Sequence, residues 1–224
     1  MCRIIFLTSG PINYRFEDAS LYKSIAETSL GSRYPSLKVD TGSMIKKMIG
    51  KIKEKGLVLS GTRIVSASSI QAIETAKLIG KELFLPVKID RRLEAINFDF
   101  SRIMSEEEFS RLGSEAFDIA RPRFLKMFFQ NQALENKEAV KKRIISFLGD
   151  VLLEKDNVIA VSHSFLLAII KTYLKKGEEI FSNIILLEKC FCPQERPFGF
   201  LEGFTVNFSG SKDEVKIDML KFNY

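Results

Sequence analysis

The feature that most constrains the fold of this chain is the alternation of short apolar segments with amphipathic ones. Ile4–Leu7 and the segment 157–161, "NVIAV", are rich in β-branched residues, as buried strands are, and each runs into a small-residue turn. Between such segments, apolar residues recur at helical spacing, as in 41–55. Strands that alternate with helices pair mostly in parallel and are covered on both faces. We therefore expect an α/β fold, a three-layer sandwich with a mostly parallel central sheet.

The segments can be assigned in order along the chain. Strands are predicted in "RIIFLTSG" (3–10), "TRIVSAS" (62–68), "PVKID" (86–90), "NVIAVSHS" (157–164), "FGFLEGFTVNF" (198–208) and "EVKIDMLKF" (214–222), the last two joined by a Gly-Ser-Lys-Asp turn. Helices are predicted over 41–55, 69–84, 137–155 and 165–176, and 13–40 reads as a mixed loop. Thr41 or Ser43 is expected to cap the first helix and Gly56 to end it.

The sequence predicts one domain over residues 1–224, with no repeat or long linker. The polar stretch 91–136 is expected to form a helical and loop excursion over the sheet. Within it, Ser105 and Glu108 fit a capping box at the start of a short helix.

Composition removes several classes of function. The net charge is +6, but the basic residues are scattered, and no zinc-ligand spacing, RNA-reading motif or basic tail supports nucleic-acid binding. Cys190 and Cys192 lack a second ligand pair, so we expect them on one face of a strand and predict no metal and no cofactor. The longest apolar segment, 158–170, is interrupted by polar residues and too short to span a bilayer. We expect a cytoplasmic protein.

Two strand-to-turn junctions hold the candidate functional residues. In a parallel α/β sheet, ligands bind beyond the C-terminal ends of the strands. Thr8, Ser9 and Gly10 follow the first strand, and Ser162, His163 and Ser164 follow the strand "NVIAV". His163 is the one histidine of the sequence and precedes an apolar helix, a position suited to acid–base chemistry or to a structural turn.

The order of motifs resembles the histidine phosphatase (phosphoglycerate mutase-like) superfamily. "NVIAVSHSFLLAII" is similar to its second-histidine motif, and "RIVSASSIQAIETAKLIG" to its second signature, a strand followed by a helix with Arg and "ETA". "RIIFLTSG" resembles its first strand, which ends in Arg-His-Gly, and "RRLEAINFDF" resembles its acid-bearing segment. The closing strands resemble its final hairpin. The resemblance implies a phosphoglycerate mutase-like sandwich.

Most of the charged residues that the family's reaction uses are absent at the matching positions. That reaction needs an attacking His, two Arg and a second His around the phosphoryl group, and an acid at the leaving oxygen. By the resemblance, Thr8 and Ser9 stand for the first Arg and His, and Gln71 for the second Arg. The acid falls at an alanine beside Glu94, so that His163 alone is kept.

Two hypotheses remain. The first is a catalytically degenerate member that acts as a binding or regulatory module for a small anionic or polar ligand, contacted by Thr8, Gly10, Arg15, Gln71, Ser162 and Ser164. The second is an active hydrolase, either a weak phosphomonoesterase using His163 or an esterase. In the esterase, Ser9 and His163 would form a nucleophile–base pair, oriented by Glu94 or Asp99. For phosphate binding, the two arginines that are absent at the matching positions would have to be replaced by Arg15, Arg63, Arg91 or Arg102. The sequence leaves the oligomeric state open.

Overall fold

A single six-stranded sheet organises the chain. The structure is a computed structural model that describes residues 2–12, 22–23, 37–189, 198–208 and 215–222. Its strands are β1 (Cys2–Thr8), β2 (Thr62–Ser66), β3 (Val87–Ile89), β4 (Asn157–Ser162), β5 (Gly203–Phe208) and β6 (Val215–Leu220). The spatial order is β3-β2-β4-β1-β5-β6. The first four strands in that order are parallel, and β5 and β6 add antiparallel.

Helices lie on both faces of the sheet, which confirms the predicted α/β sandwich. Numbered over the described residues, the α-helices are α1 (Thr41–Glu54), α2 (Ile70–Leu83), α3 (Glu106–Leu112), α4 (Ala116–Phe129), α5 (Lys137–Glu154), α6 (Ser164–Lys176) and α7 (Ile184–Lys189). Short 3₁₀ helices occur at Arg91–Leu93, Phe100–Arg102, Gly113–Glu115 and Gly177–Phe181. In the part of the chain that the structure describes, no helix combines the length and apolar character that crossing a bilayer would demand.

The core centres on β1 and β4, whose side chains are buried on both faces, as expected for inner strands of a parallel sheet. Phe6 of β1 stacks on Phe204 of β5, with ring centroids 4.9 Å apart. The ring of Phe147, on α5, also packs against the ring of Phe6, with centroids 6.2 Å apart. The register pairs Thr8 with Ser162, so β1 and β4 end side by side.

The start of α1 differs from the prediction. Neither Thr41 nor Ser43 is the N-cap: that position is Asp40, whose side chain makes no capping hydrogen bond. Thr41 begins the helix itself and is buried against Gly10. Thr41 is therefore used for packing and not as the N-cap that its intrinsic propensity favours. The helix ends at Glu54, close to the predicted Gly56.

Residues 91–136 contain more of the core than their polar composition indicates. Phe100, Phe109 and Phe128 are fully buried there, within an aromatic cluster. Half of the predicted capping box is confirmed, since Ser105 accepts a hydrogen bond from the backbone N–H of Glu108 at 3.1 Å. The carboxylate of Glu108 instead accepts hydrogen bonds from Arg123 at 2.9 and 2.8 Å.

Some sequence predictions lie outside the described residues. They concern most of the loop 13–40, the turn between β5 and β6, and the pair Cys190 and Cys192.

Candidate functional site

The end of β1 is occupied by structural hydrogen bonds. The hydroxyl of Thr8 donates to the carbonyl oxygen of Gly199 at 2.6 Å and lies 3.1 Å from that of Glu202. The N–H of Ser9 donates to the carbonyl of Ser162, and the carbonyl of Ser9 accepts from the N–H of Leu201, both at 3.2 Å. These bonds attach the turn to β4 and to the segment before β5. The Thr8 hydroxyl is thereby committed to backbone carbonyls.

Gly10 allows the turn to pack closely on two helices. Its N–H donates to Oγ1 of Thr75 at 2.9 Å, and that hydroxyl donates in turn to the carbonyl of Gln71 at 2.7 Å. A Cβ at Gly10 would lie 2.5 Å from Cγ2 of Thr41, closer than any side chain tolerates. Gly10 is therefore required by the close approach of α1 and α2.

The side-chain contact that the structure gives to His163 is with Ser69. Ser69 is the N-cap of α2, His163 is the N-cap of α6, and the hydroxyl oxygen of Ser69 lies 3.1 Å from Nε2 of His163. Neither side chain caps its own helix. β2 and β4 are neighbours in the sheet, so the chain leaves both strands at the same edge and brings these residues together. Among the described contacts, none joins Ser9 to His163.

His163 is neutral at physiological pH. Burial lowers the pKa of its imidazole to about 4, and the positive charge of Arg143 contributes to the same shift. A neutral imidazole can accept a proton or a hydrogen bond, but it does not offset negative charge on a ligand.

Arg143 of α5 fixes the loop that follows β3. Its Nε and Nη2 donate to the two carboxylate oxygens of Glu135 at 2.6 and 3.1 Å. Its Nη1 donates to the carbonyls of Arg92 at 2.6 Å and Glu94 at 2.9 Å. All three guanidinium nitrogens are thus engaged, and the side chain is only 13% exposed. Arg143, whose positive charge acts on His163, therefore directs its hydrogen-bond donors at Glu135 and the loop.

The predicted acids lie on that loop with different partners. Glu94 accepts a hydrogen bond from the hydroxyl of Ser68 at 2.6 Å, one residue before Ser69. Asp99 accepts from the N–H and the hydroxyl of Ser101, and so caps a 3₁₀ turn. Glu94 is therefore joined to the segment of Ser69, whereas Asp99 bonds within its own turn.

The predicted contact residue Ser162 is bonded to the same loop. Its hydroxyl donates to the carbonyl of Leu93 at 2.6 Å, which joins β4 to the loop.

Gln71 is the remaining predicted contact residue on α2. It is 2% exposed, and its Oε1 has no hydrogen-bond partner within the described residues. Ser164 is exposed at the first position of α6. Arg15 lies outside the described residues.

Two of the proposed replacement arginines have other partners. Arg63 pairs with Glu154 at 2.9 Å and with Asp156 at 2.5 Å, and Arg102 donates to the carbonyl of Gln132 at 3.2 Å. Arg91 is exposed on the 3₁₀ turn after β3.

Sequence reasoning missed Ser69 and Arg143. Ser69 stands at a strand-to-helix junction like that of His163, and two neighbouring parallel strands end at one edge. That rule was sufficient to place Ser69 opposite His163. Nothing in the sequence singles out Arg143, because it lies in the middle of a charged helix. Within the described ranges, no group of three His, Cys, Asp or Glu residues is arranged to hold a metal ion.

Comparisons with known proteins agree with this geometry. The model of the histidine phosphatase superfamily (branch 1) matches residues 57–190, more than half of the chain. That match includes the α2 signature and His163 but begins after β1. No curated protein matches the chain.

Solved structures with the same fold cover nearly the whole chain. YhfR of Bacillus stearothermophilus is 12% identical, with a TM-score of 0.63, over 97% of this chain and 96% of its own. A mycobacterial glucosyl-3-phosphoglycerate phosphatase complexed with VO3 is 13% identical, with a TM-score of 0.60, over 100% and 99%. A mutant phosphoserine phosphatase from Entamoeba histolytica, in complex with phosphoserine, is 15% identical, with a TM-score of 0.56, over 100% and 97%. At such identities the likeness shows the fold alone.

Proposed function

Because this chain belongs to the histidine phosphatase superfamily (branch 1), we propose that it is a catalytically degenerate member. Its pocket, at the ends of β1, β2 and β4, binds a small polar ligand, and the protein acts as a binding or regulatory module. The residues proposed to contact the ligand are Ser69, Gln71 and His163, and Thr8 and Ser9 serve as scaffold at the end of β1.

The observation that carries this proposal is that, among the described residues, none at the positions matching the family's charged groups supplies an available positive charge. The resemblance places guanidinium groups at Thr8 and Gln71 and an attacking imidazole at Ser9, and all three residues are neutral. Arg143, whose charge acts on His163, is engaged by Glu135 and two backbone carbonyls. His163 is itself uncharged at neutral pH because its pKa is lowered to about 4. A phosphate dianion would lose its hydration there and gain little in return.

The expected cost to phosphoryl transfer is large. Loss of a nucleophile that acts as part of a unit typically lowers the rate by about 10⁴–10⁶-fold. Each missing charged contact to the transition state removes about another 3 kcal/mol. The neutral groups at the pocket suit an uncharged ligand better, since Oε1 of Gln71 is buried without a partner in the described part of the chain.

Two measurements test the proposal. Purified protein is incubated with p-nitrophenyl phosphate beside a His163→Ala variant, and the melting temperature is recorded with and without millimolar phosphate. We expect no turnover above the buffer blank and a shift below about 1 °C. A ligand at a concentration equal to its Kd adds only about 0.4 kcal/mol, which is about 1 °C for a chain of this size.

The alternative is a weak phosphomonoesterase that uses His163. Hydrolysis of p-nitrophenyl phosphate that disappears in His163→Ala would establish it and overturn the proposal. A rise of several degrees with phosphate would show that basic residues have been recruited to the pocket.

A further inference from the structure

The contact between Ser69 and His163 has the form of a nucleophile–base pair. The hydroxyl oxygen and Nε2 are 3.1 Å apart, within the range of such pairs. Ser69 is 4% exposed and His163 is partly exposed, so the imidazole is the more accessible member of the pair. Neither side chain makes a capping hydrogen bond to its own helix. Both side chains are therefore available for the contact with each other.

We propose that Ser69 and His163 form an acyl-transfer site that accepts uncharged esters with an apolar acyl group. This activity goes beyond the proposed binding function and uses the same pocket. Ser69 is the nucleophile, and His163 is the general base.

The helix N-termini at the pair suit the oxyanion of acyl transfer, whereas the base is a weak one. His163 is neutral at pH 7 and can accept a proton, but burial and the charge of Arg143, which lower its pKa to about 4, make its protonated form costly. Both residues stand at helix N-termini, where the first backbone N–H groups precede the first intrahelical bonds, those from Ile73 to Ser69 and from Leu167 to His163. Such N–H groups, with the positive end of the helix dipole, stabilise the oxyanion of a tetrahedral intermediate.

The proposed class of substrate is argued from the aromatic side chains at the start of α6 and on the segments packed against it. Aromatic residues begin two positions after His163, where Phe165 of α6 packs on Phe124 with ring centroids 4.7 Å apart. Phe124 contacts Phe98 at 4.5 Å, and both Phe165 and Phe98 are partly exposed. These rings favour an apolar acyl group. The engaged guanidinium of Arg143 gives no site for an anionic one.

Each step of the reaction is balanced by groups at the site. Oγ of Ser69 forms a bond to the acyl carbon as its proton passes to Nε2 of His163. The bond from that carbon to the alcohol oxygen breaks, and the alcohol leaves with the proton. A water molecule, deprotonated by Nε2, then attacks the acyl carbon, releases the carboxylic acid and restores the hydroxyl of Ser69.

Turnover is expected to be slow. Within the described residues, no carboxylate is hydrogen-bonded to His163, and loss of the orienting acid from a complete triad costs about 10⁴-fold. Formation of the covalent bond is therefore a sharper measurement than turnover.

The test is covalent labelling with an uncharged fluorophosphonate, in which Oγ of the serine displaces fluoride at phosphorus. The wild-type protein is labelled at pH 7.5, digested, and mapped by mass spectrometry, so the assignment needs no variant. We expect the label on Ser69, with its rate lowered about 100-fold by His163→Ala. Ser69→Ala should remove the label. Ser66→Ala, which removes another buried hydroxyl at the end of β2, should retain it.

The outcomes separate this proposal from the previous one. A label on any other serine, Ser9 included, would overturn it, as would an unlabelled wild-type protein or a rate that His163→Ala leaves unchanged. Hydrolysis of p-nitrophenyl phosphate would overturn the binding function without affecting the label on Ser69. A p-nitrophenyl butyrate burst that is lost in Ser69→Ala would support acyl transfer on a carbon substrate.

Discussion

Two parts of the same sheet edge differ in what their polar groups do. At the end of β1, the hydroxyl of Thr8 and both backbone groups of Ser9 are bonded to the chain around β4 and β5. At the junctions of β2 with α2 and of β4 with α6, Ser69 and His163 contact each other directly. One side of the edge has become scaffold, while the other retains groups that can act on a ligand.

Under the proposed function, the difference is that of a fold that has outlasted part of its chemistry. A polar turn at a strand end must satisfy its backbone groups whether or not it reacts. Small residues at Thr8-Ser9-Gly10 satisfy that requirement and allow α1 and α2 to pack closely on Gly10. His163 lies where two helices start, and its ring still faces a hydroxyl.

The largest effect is expected when the ion pair that holds the loop beside Ser69 and His163, which we call the reactive side, is removed. Arg143→Ala leaves the mostly buried carboxylate of Glu135 without its cation, with only the N–H of Asn97 still donating to it, and the carbonyls of Arg92 and Glu94 without their donor. We expect a loss of about 3–5 kcal/mol in the free energy of unfolding, measured by urea titration.

The matched control is Arg121→Ala, which breaks a surface pair with Asp118 one turn away on α4. Pairs of this kind contribute about 0.5 kcal/mol. If the two variants lose equal stability, Arg143 does not hold the loop, and the reactive side is no better supported than the surface.

The pH dependence of stability tests the state of His163. Its folded pKa of about 4 lies below the ordinary value of 6.5. Between these values the unfolded chain binds a proton that the folded chain does not, so stability falls as pH is lowered from 6.5 to 4 and this contribution is absent above 6.5. The loss reaches at most about 3 kcal/mol. Urea titrations at several pH values measure this loss. Subtraction of the stability curve of His163→Gln removes the contribution of the carboxylates, which titrate in both proteins. Parallel curves would contradict an imidazole whose pKa is lowered in the folded chain.

Much of the fold could be predicted from the sequence, because its strands and helices carry strong local patterns. The helix at 137–154 was predicted to within one residue, and the strands at 157–162 and 62–66 start as predicted and end two residues earlier. The cap of α1 was not, since the burial of Thr41 against Gly10 depends on a contact between distant parts of the chain.

The candidate site was predictable only in part, for the same reason. A junction rule placed His163 at the correct edge of the sheet. The partner of its Nε2 depends on where α2 starts relative to α6, and the sequence does not encode that distance locally. The pairing of Arg143 with Glu135 likewise joins the middle of a helix to a loop.

The smallest effect concerns the scaffold side of the edge. Thr8→Val keeps the shape of the side chain but removes the donor to the carbonyl of Gly199, and we expect a loss of about 1–2 kcal/mol by urea titration. Thr205→Val is the matched control on β5. Its Oγ1 is buried without a partner in the described ranges, so its removal should be neutral or stabilising. Opposite signs for two buried threonines would show that the Thr8 hydroxyl is part of the scaffold. Equal effects would mean that the end of β1 holds no more than ordinary packing, and the contrast between the two sides would then fail.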